Sequence, residues 1–306
     1  MNKKLLIVAA VLLAAGTVLL GVGAVIDRGR NTGSSDLGAV LGENQTGDSQ
    51  EAVSPGDSGG FDDTSASGGN AAQLALDPFS QVNLSIVAAD VRFEAGEAYG
   101  LRYQLHPDEL VVRAEVEGET LYLSTRAKEG ASLSGDWEVV VTIPRDACLA
   151  DISAATVSGD IALSDRTMEA LRLTTTSGNI AAVAVTADEL QAASTSGAIA
   201  ITDLSAHSVN AASTSGDISL TGAVDALNLG TTSGDCAFSG ELTGAGNVGT
   251  VSGDIDIAVP DAGVEASSLG EITWNGRSQG RSFQREGGGS ALVLGSVSGD
   301  IRIATD

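Results

Sequence analysis

The chain has 306 residues, of which 40 are acidic and 16 basic, and its formal net charge is −24. This charge excludes a nucleic-acid surface, because phosphate backbones are bound by clustered lysine and arginine. Aromatic residues make up 3% of the chain, glycine reaches 39 residues, and there are two cysteines and two histidines. The composition favours short strands and tight turns, and it excludes a disulfide-rich scaffold and a four-cysteine metal site.

An uncharged run of 22 residues, Leu5–Ile26, lies near the start of the chain and follows Lys3 and Lys4. As a helix rising about 1.5 Å per residue, this run is long enough to cross about 30 Å of bilayer. Lysines before an apolar run place the amino terminus in the cytoplasm and the rest of the chain outside it. Residues 1–26 are therefore predicted to be a retained single-pass anchor in the cell membrane.

A cleaved signal peptide is the alternative for the same segment. Small residues precede a possible cleavage site after Ala24, and cleavage there would make the protein secreted. The apolar run continues past that site, which favours the anchor. In both cases the bulk of the protein is extracytoplasmic.

Two further regions come after the apolar run. Residues 27–72 are rich in glycine, serine and aspartate without an apolar period, which predicts a disordered linker. Residues 73–306 are predicted to form one extracytoplasmic domain. Its first part, between Leu74 and Ile143, alternates apolar and polar residues between glycines and holds six of the ten aromatic residues. It is predicted to be a β segment that caps the rest of the domain.

A repeat begins at Ile152 and is the strongest pattern in the sequence. Six Ser-Gly corners follow one another every 18 or 19 residues, and a seventh comes after a gap of 46 residues. Aliphatic residues alternate on both sides of each corner, which indicates two short strands per repeat and no helix. The predicted fold is all-β: a parallel β-solenoid with coils of about 19 residues, each rising about 4.8 Å.

The corners are predicted to have a structural role. Their residues are Gly159, Asp160, Gly178, Asn179, Gly197, Gly216, Asp217, Gly234, Asp235, Gly253, Asp254, Gly299 and Asp300. Glycine fits a backbone position with positive φ, and the following Asp or Asn fits a turn in which its side chain bonds the local backbone. A calcium ladder of carboxylates is the alternative, but Asn179 and Ala198 interrupt the column, so no metal site is predicted.

The segment from Leu74 to Asp306 resembles the bacterial putative-adhesin β-strand-repeat family, domain of unknown function 4097. The resemblance rests on the Ser-Gly-Asp-Ile series, on Asp90-Val91, on Val141-Thr142-Ile143-Pro144 before the coils, and on the ending Ser298-Gly299-Asp300-Ile301-Arg302-Ile303. It implies a membrane-tethered surface domain and supplies no catalytic residues. Residues 261–289 depart from the simple period, which leaves the coil count there open.

The motifs of several enzyme classes are missing from the sequence. There is no phosphate-binding loop, no pair of histidines at metal-ligand spacing and no Gly-x-Ser-x-Gly elbow. His106 and His207 are predicted to be surface residues. Cys148 and Cys236 lie more than four coils apart, so both are predicted to be free thiols, with Cys236 buried. No catalytic residue and no cofactor is predicted.

A second pattern comes after Trp274, where Arg277, Arg281, Phe283 and Arg285 alternate with small or polar residues. In an extended strand these four side chains share one face. They are candidates for binding an anionic envelope polymer or a membrane protein. The alternative, which we favour, is a hairpin whose arginines meet the chain's own acidic surface.

These features together predict a membrane-tethered, extracytoplasmic β-solenoid that is a non-catalytic binding or structural module of adhesin type at the cell envelope. A regulatory ectodomain in envelope-stress signalling is the alternative. Because only four residues precede the apolar run, such a regulator would act through a membrane partner. A glycan-active enzyme is a third hypothesis, and it would need carboxylates beside a basic residue on one face.

Overall fold

The computed structural model describes residues 71–104, 110–129, 137–260 and 262–305. The predicted membrane segment and all but the end of the predicted linker lie outside these ranges, as does His106. Every regular element in the described ranges is a β-strand, and none of them contains a helix long and apolar enough to cross a membrane.

Nineteen strands follow one another in the described residues. They are β1 (Ala71–Ala75), β2 (Gln81–Ile86), β3 (Asp90–Gly96), β4 (Gly100–Gln104), β5 (Leu110–Glu117), β6 (Thr120–Ala127), β7 (Glu138–Pro144), β8 (Leu149–Thr156), β9 (Ile161–Thr175), β10 (Ile180–Ser194), β11 (Ile199–Ser213), β12 (Ile218–Gly230), β13 (Cys236–Leu242), β14 (Ala245–Thr250), β15 (Ile255–Ala258), β16 (Ala262–Trp274), β17 (Arg277–Arg285), β18 (Ser290–Ser296) and β19 (Ile301–Ala304).

The central strands stack in parallel, one coil on the next. Ile180 pairs with Ile161 on one side and with Ile199 on the other, so equivalent residues of successive repeats form columns. The isoleucines of this column are at most 1% exposed, and the aliphatic columns fill the interior of the stack. The predicted all-β architecture with parallel strands is confirmed.

Each of the central coils is one long, bent strand and not the predicted pair of short strands. β9, β10 and β11 have 15 residues each. They bend at Asp165, Ala184 and Asp203, whose φ angles are 53°, 54° and 54°. A single left-handed residue turns the chain sharply while the strand-to-strand hydrogen bonds continue on both sides of it. The coil after β12 consists of two separate strands, β13 and β14, as predicted.

The order of the coils in space differs from their order in the chain at both ends of the stack. β2 lies between β6 and β8, and β3 lies between β7 and β9. At the other end β18 lies between β14 and β16, and β19 between β15 and β16. The amino-terminal segment does form one end of the stack, but its β2–β3 coil lies inside the outermost coil.

Residues 262–285, where the period breaks down, form the outermost coil at the carboxyl-terminal end. Ser268 Oγ donates a hydrogen bond to the carbonyl oxygen of Gly299 and accepts one from the amide of Gly270, so a degraded corner is present here. The chain then reverses through Asn275 and Gly276, both with positive φ, as in a two-residue hairpin turn. β17 folds back antiparallel on β16.

The prediction that the corner glycines need positive φ is wrong. None of them adopts that conformation; among the described glycines it occurs at Gly118, Gly222, Gly240, Gly276, Gly280 and Gly288. The corner glycines are required because successive corners approach too closely for a side chain. A Cβ atom on Gly197 would lie 1.7 Å from the carbonyl oxygen of Gly178, and one on Gly178 would lie 1.9 Å from that of Gly159.

The corner aspartates bond to the neighbouring coil and not to the local backbone, which corrects the second part of the corner prediction. Asp160 Oδ1 accepts the amide of Asn179 at 2.6 Å, and Asp217 Oδ1 accepts the amide of Asp235 at 2.9 Å. Ala198 has no side-chain oxygen and interrupts this ladder. The carboxylates therefore join coils by charge-assisted hydrogen bonds to backbone amides.

A column of buried hydroxyl groups makes the hydrogen bonds to the local corner backbone that the sequence predicts for aspartate. Thr175 Oγ1 accepts the amide of Gly178 at 2.9 Å and donates to the carbonyl oxygen of Gly159 at 3.2 Å. The residues in this column are Thr156, Thr175, Ser194, Ser213, Thr231, Thr250, Ser268 and Ser296. Each hydroxyl satisfies a backbone group inside the tight corner, where water cannot reach.

Arg166 ties the amino-terminal coils to the central stack. It is 5% exposed, and its guanidinium donates to the carbonyl oxygens of Glu94 and Ile143, each at 3.0 Å. These carbonyls belong to β3 and β7. Burial, together with the positive charge of Arg145, lowers the pKa of Arg166.

Both cysteines are free thiols, as predicted, with Cys148 exposed and Cys236 buried. Burial raises the pKa of the Cys236 thiol to about 12. We expect an alkylating reagent to modify Cys148 alone in the native protein and both thiols in concentrated urea, as counted by mass spectrometry. Labelling of Cys236 in the native protein as fast as that of Cys148 would contradict the burial of Cys236.

The same pKa shift predicts a loss of stability in alkaline solution. A thiol in the unfolded chain titrates near about 8.5, below the folded value, so between the two values the folded protein holds the extra proton. The protonated Cys236 thiol therefore makes its full contribution to the free energy of unfolding below the pKa of the thiol in the unfolded chain. This contribution decreases as the pH rises towards about 12. Replacing Cys236 by alanine should flatten this decrease in alkaline urea titrations.

Candidate binding surface

On β9–β13, the outward side chains of the strand stretch just after each corner form a surface without ionisable groups. We call this surface, on β9–β13, the neutral face. Its residues are Ala162, Ser164, Ala181, Val183, Ala200, Thr202, Ser219, Thr221, Ala237 and Ser239, all exposed or half-buried. In a chain of net charge −24, a face without charge is a distinct region of the surface.

A shallow groove of about 420 Å³ lies at the carboxyl-terminal end of the neutral face and continues over β15, β19 and β16. Its lining includes the larger residues Leu220, Phe238, Ile257, Asn275 and Ile303, and also small outward side chains. They include Ser219, Thr221, Ala237, Ser239, Ala258 and Ala304. This volume falls within the range of about 300–1,000 Å³ that is usual for small-molecule sites.

Arg302 and Asp256 bring charged side chains to the groove. The guanidinium of Arg302 contacts Asp254 Oδ2 at 3.0 Å, Asp256 Oδ1 at 3.4 Å and Asp300 Oδ2 at 3.7 Å. Hydrogen bonds from Arg302 to Asp254 and Asp256 raise the pKa of the guanidinium. This cation is therefore held by three carboxylates and is not an open anion site.

The structure separates the four residues predicted to share one face of a strand, Arg277, Arg281, Phe283 and Arg285, into two pairs. Phe283 and Arg285 pack on Trp274: the Phe283 and Trp274 ring centroids are 5.0 Å apart, and the Arg285 guanidinium lies 4.9 Å from the Trp274 ring centroid. Arg285 also donates to the carbonyl oxygen of Ala262 at 3.2 Å. This pair covers the carboxyl-terminal end of the core.

Arg277 and Arg281 are exposed, and no ion pair with another described residue is formed by either. They lie on β17, whose register is interrupted beside Gly280. Within the described ranges β17 is an edge strand, paired with β16 alone, and arginines with a bulge are features that prevent unwanted pairing at sheet edges. The hypothesis that these arginines bind an anionic polymer stays a prediction.

His207 lies on the surface, as predicted, in a cluster that resembles a catalytic triad only in composition. Its Nδ1 is 2.8 Å from Asp225 Oδ2, and Thr243 Oγ1 donates to Asp225 Oδ1. These hydrogen bonds, first from Thr243 and then from His207, lower the pKa of Asp225. A nucleophile must contact the histidine, whereas Thr243 contacts the aspartate, so the cluster cannot activate the hydroxyl.

No group of three or more His, Cys, Asp or Glu side chains in the described ranges is arranged to hold a metal ion. The predicted corner residues form the ladder described above, beside the neutral face. Sequence inspection missed both the neutral face and the hydroxyl column. The signals were present: small uncharged residues recur one and three positions after Ile161, Ile180, Ile199 and Ile218, and Ser or Thr recurs three positions before each corner glycine.

The family model described as Toastrack DUF4097 matches residues 79–304, and no curated protein matches the sequence. A solved structure of a putative lipid binding protein from Parabacteroides distasonis is 17% identical, with a TM-score of 0.51, over 77% of this chain and 96% of that one. A putative adhesin from Bacteroides fragilis is 12% identical, with a TM-score of 0.45, over 76% and 95%. A putative adhesin from Parabacteroides merdae is 13% identical, with a TM-score of 0.39, over 76% and 95%.

Proposed function

Because the chain belongs to the Toastrack DUF4097 family, we propose that it is a non-catalytic binding module held outside the cytoplasm by its amino-terminal segment. Membership confirms the resemblance seen in the Ser-Gly-Asp-Ile corners. The observation that carries the proposal is the groove on the neutral face, which offers a concave surface, mostly uncharged, on an otherwise acidic stack.

The rigidity of the stack supports this proposal. Corner amides are bonded to side chains of the neighbouring coil, and the corner hydroxyls are buried and hydrogen-bonded. A surface built on such a frame loses little conformational entropy when a ligand binds. The module would therefore present the groove in a fixed shape.

The attachment to the membrane rests on the sequence of the first 26 residues. We expect the mature protein to keep them, since the apolar run Leu5–Ile26 continues past the possible cleavage site. The full-length chain should fractionate with the membrane, and a protease added outside intact cells should digest its carboxyl-terminal domain. Amino-terminal sequencing that begins at Val25 would show a secreted protein instead.

Binding can be tested on the full-length chain, purified in a detergent without sugar groups and mixed with isolated cell-envelope material. Ala237 lies in the groove, and Ala181 lies on the same face outside it. We expect Ala237→Trp to abolish sedimentation with the envelope material and Ala181→Trp to leave it intact. If neither the parent nor the two variants sediment with envelope material, the proposed function is wrong.

A further inference from the structure

We propose that the groove binds a neutral, hydroxyl-rich saccharide chain that runs along the axis of the stack. This inference rests on the proposed function, because it names the ligand class of the same groove. It is supported by the shape of the groove, by the chemistry of its lining and by the charges around it.

The groove is long and crosses several coils. Its lining comes from β12, β13, β15, β19 and β16, which are successive neighbours in the stack. Five coils at about 4.8 Å per step give a length of about 19 Å from the first strand to the last. A linear ligand that lies across the strands meets one coil after another, whereas a compact ligand would use only part of this length.

The lining alternates groups that suit a sugar ring. The hydroxyls of Ser219 and Ser239 can each donate and accept a hydrogen bond, as the hydroxyls of a sugar do. Thr221 Oγ1 accepts the amide of Asp203 at 3.2 Å and can still donate its proton. The methyl groups of Ala237 and Ala258 belong to the same lining and fit the apolar face of a ring. Because these outward side chains are small, the rings can approach the backbone of the sheet.

The charges around the groove favour an uncharged ligand. Asp254, Asp256 and Asp300 surround the guanidinium of Arg302, which leaves a local excess of negative charge that repels anionic polymers. Asp300 and Asp254 also accept the amides of Glu271 and Asp300, and Asp256 is paired with Arg302, so each carboxylate already has a partner that a cationic ligand would have to displace. Asp256, at the groove, retains lone pairs that can accept hydrogen bonds from sugar hydroxyls.

Isothermal titration of the full-length chain, in a detergent without sugar groups, tests the inference with four short probes. Cellotetraose and tetra-N-acetylchitotetraose are neutral, tetragalacturonate is an anionic saccharide of the same length, and tetralysine is cationic. We expect at least one neutral tetramer to bind and the two charged probes to bind at least about tenfold more weakly. Ala237→Trp and Ser239→Trp should each weaken the neutral tetramer about tenfold or more, while Ala181→Trp should leave its Kd unchanged.

The melting temperature of each variant shows whether it is folded, and two groove variants are used so that a single unfolded one does not decide the result. Preferred binding of tetragalacturonate, lost in an Arg277→Ala/Arg281→Ala variant, would assign binding to the arginines of β17 and overturn the inference. Preferred binding of tetralysine, or no binding of any tetramer, would also overturn it. If envelope attachment nevertheless stays sensitive to Ala237→Trp, the proposed function stands while the saccharide is wrong.

Discussion

Replacing Gly197 by alanine should destabilise the protein by about 3 kcal/mol or more, because the added methyl group has no space. The new Cβ would lie 1.7 Å from the carbonyl oxygen of Gly178 and 2.4 Å from its carbonyl carbon. Both atoms belong to backbone that is fixed by the neighbouring corner, so no flexible side chain can move aside. Relief would require neighbouring coils to separate, which breaks the hydrogen bond from Ser194 Oγ to the Gly178 carbonyl oxygen and the one from the Ala198 amide to Asn179 Oδ1.

Gly230 provides a matched control for this substitution. It lies in the same stack, and a Cβ atom built there meets nothing within 4 Å. Gly230→Ala should change the free energy of unfolding by no more than about 1 kcal/mol. Urea unfolding curves followed by circular dichroism measure both variants, and equal midpoints for the two would show that corner spacing does not explain the glycines.

Replacing Ile218 by aspartate should be the most damaging change among the column residues. Ile218 is 1% exposed and lies between Ile199 and Cys236 of the neighbouring coils, where a carboxylate has no hydrogen-bond donor to satisfy it. We expect a loss of at least about 3 kcal/mol, or failure to fold. The adjacent Asp217→Asn should be nearly neutral, since the amide oxygen can still accept the amide proton of Asp235.

Asp217→Ala completes this comparison. It removes the acceptor from the amide of Asp235, which is bonded at 2.9 Å, and should cost about 1 kcal/mol. Ala198 already creates such an interruption one coil earlier in the stack. If Asp217→Asn proved more damaging than Ile218→Asp, and if stability depended on added calcium, the corner column would have to be a calcium ladder.

Which parts of this fold could be predicted depends on how the information is distributed in the sequence. The parallel columns were predictable because Ile161, Ile180 and Ile199 recur at one spacing, and periodic burial depends on that spacing alone. The reason for the corner glycines could not be predicted, because Gly178 and Gly197 approach each other closely only when two coils stack. A local turn and a tight stack both select glycine, and one sequence does not distinguish them.

The ends of the stack were unpredictable for a related reason. A repeat indicates that coils stack, but it does not say that β2 and β3 insert inside the coil formed by β6 and β7, since that choice depends on long-range pairing. The candidate site shows the same limit. The alternation in β17 identified the arginines and Phe283, yet the groove depends on small residues from five coils whose neighbours are fixed only by the three-dimensional order.

The insertion of the chain ends into the stack has a mechanical consequence. Within the described chain, β1 is paired only with β4, so a pull on the chain at Ala71 would first peel away this strand of five residues at low force. The pull would then reach β2, which is hydrogen-bonded to β6 on one side and to β8 on the other. β2 can leave the stack only when the hydrogen bonds on both of its sides break, so the domain resists traction at its second strand and not at its first.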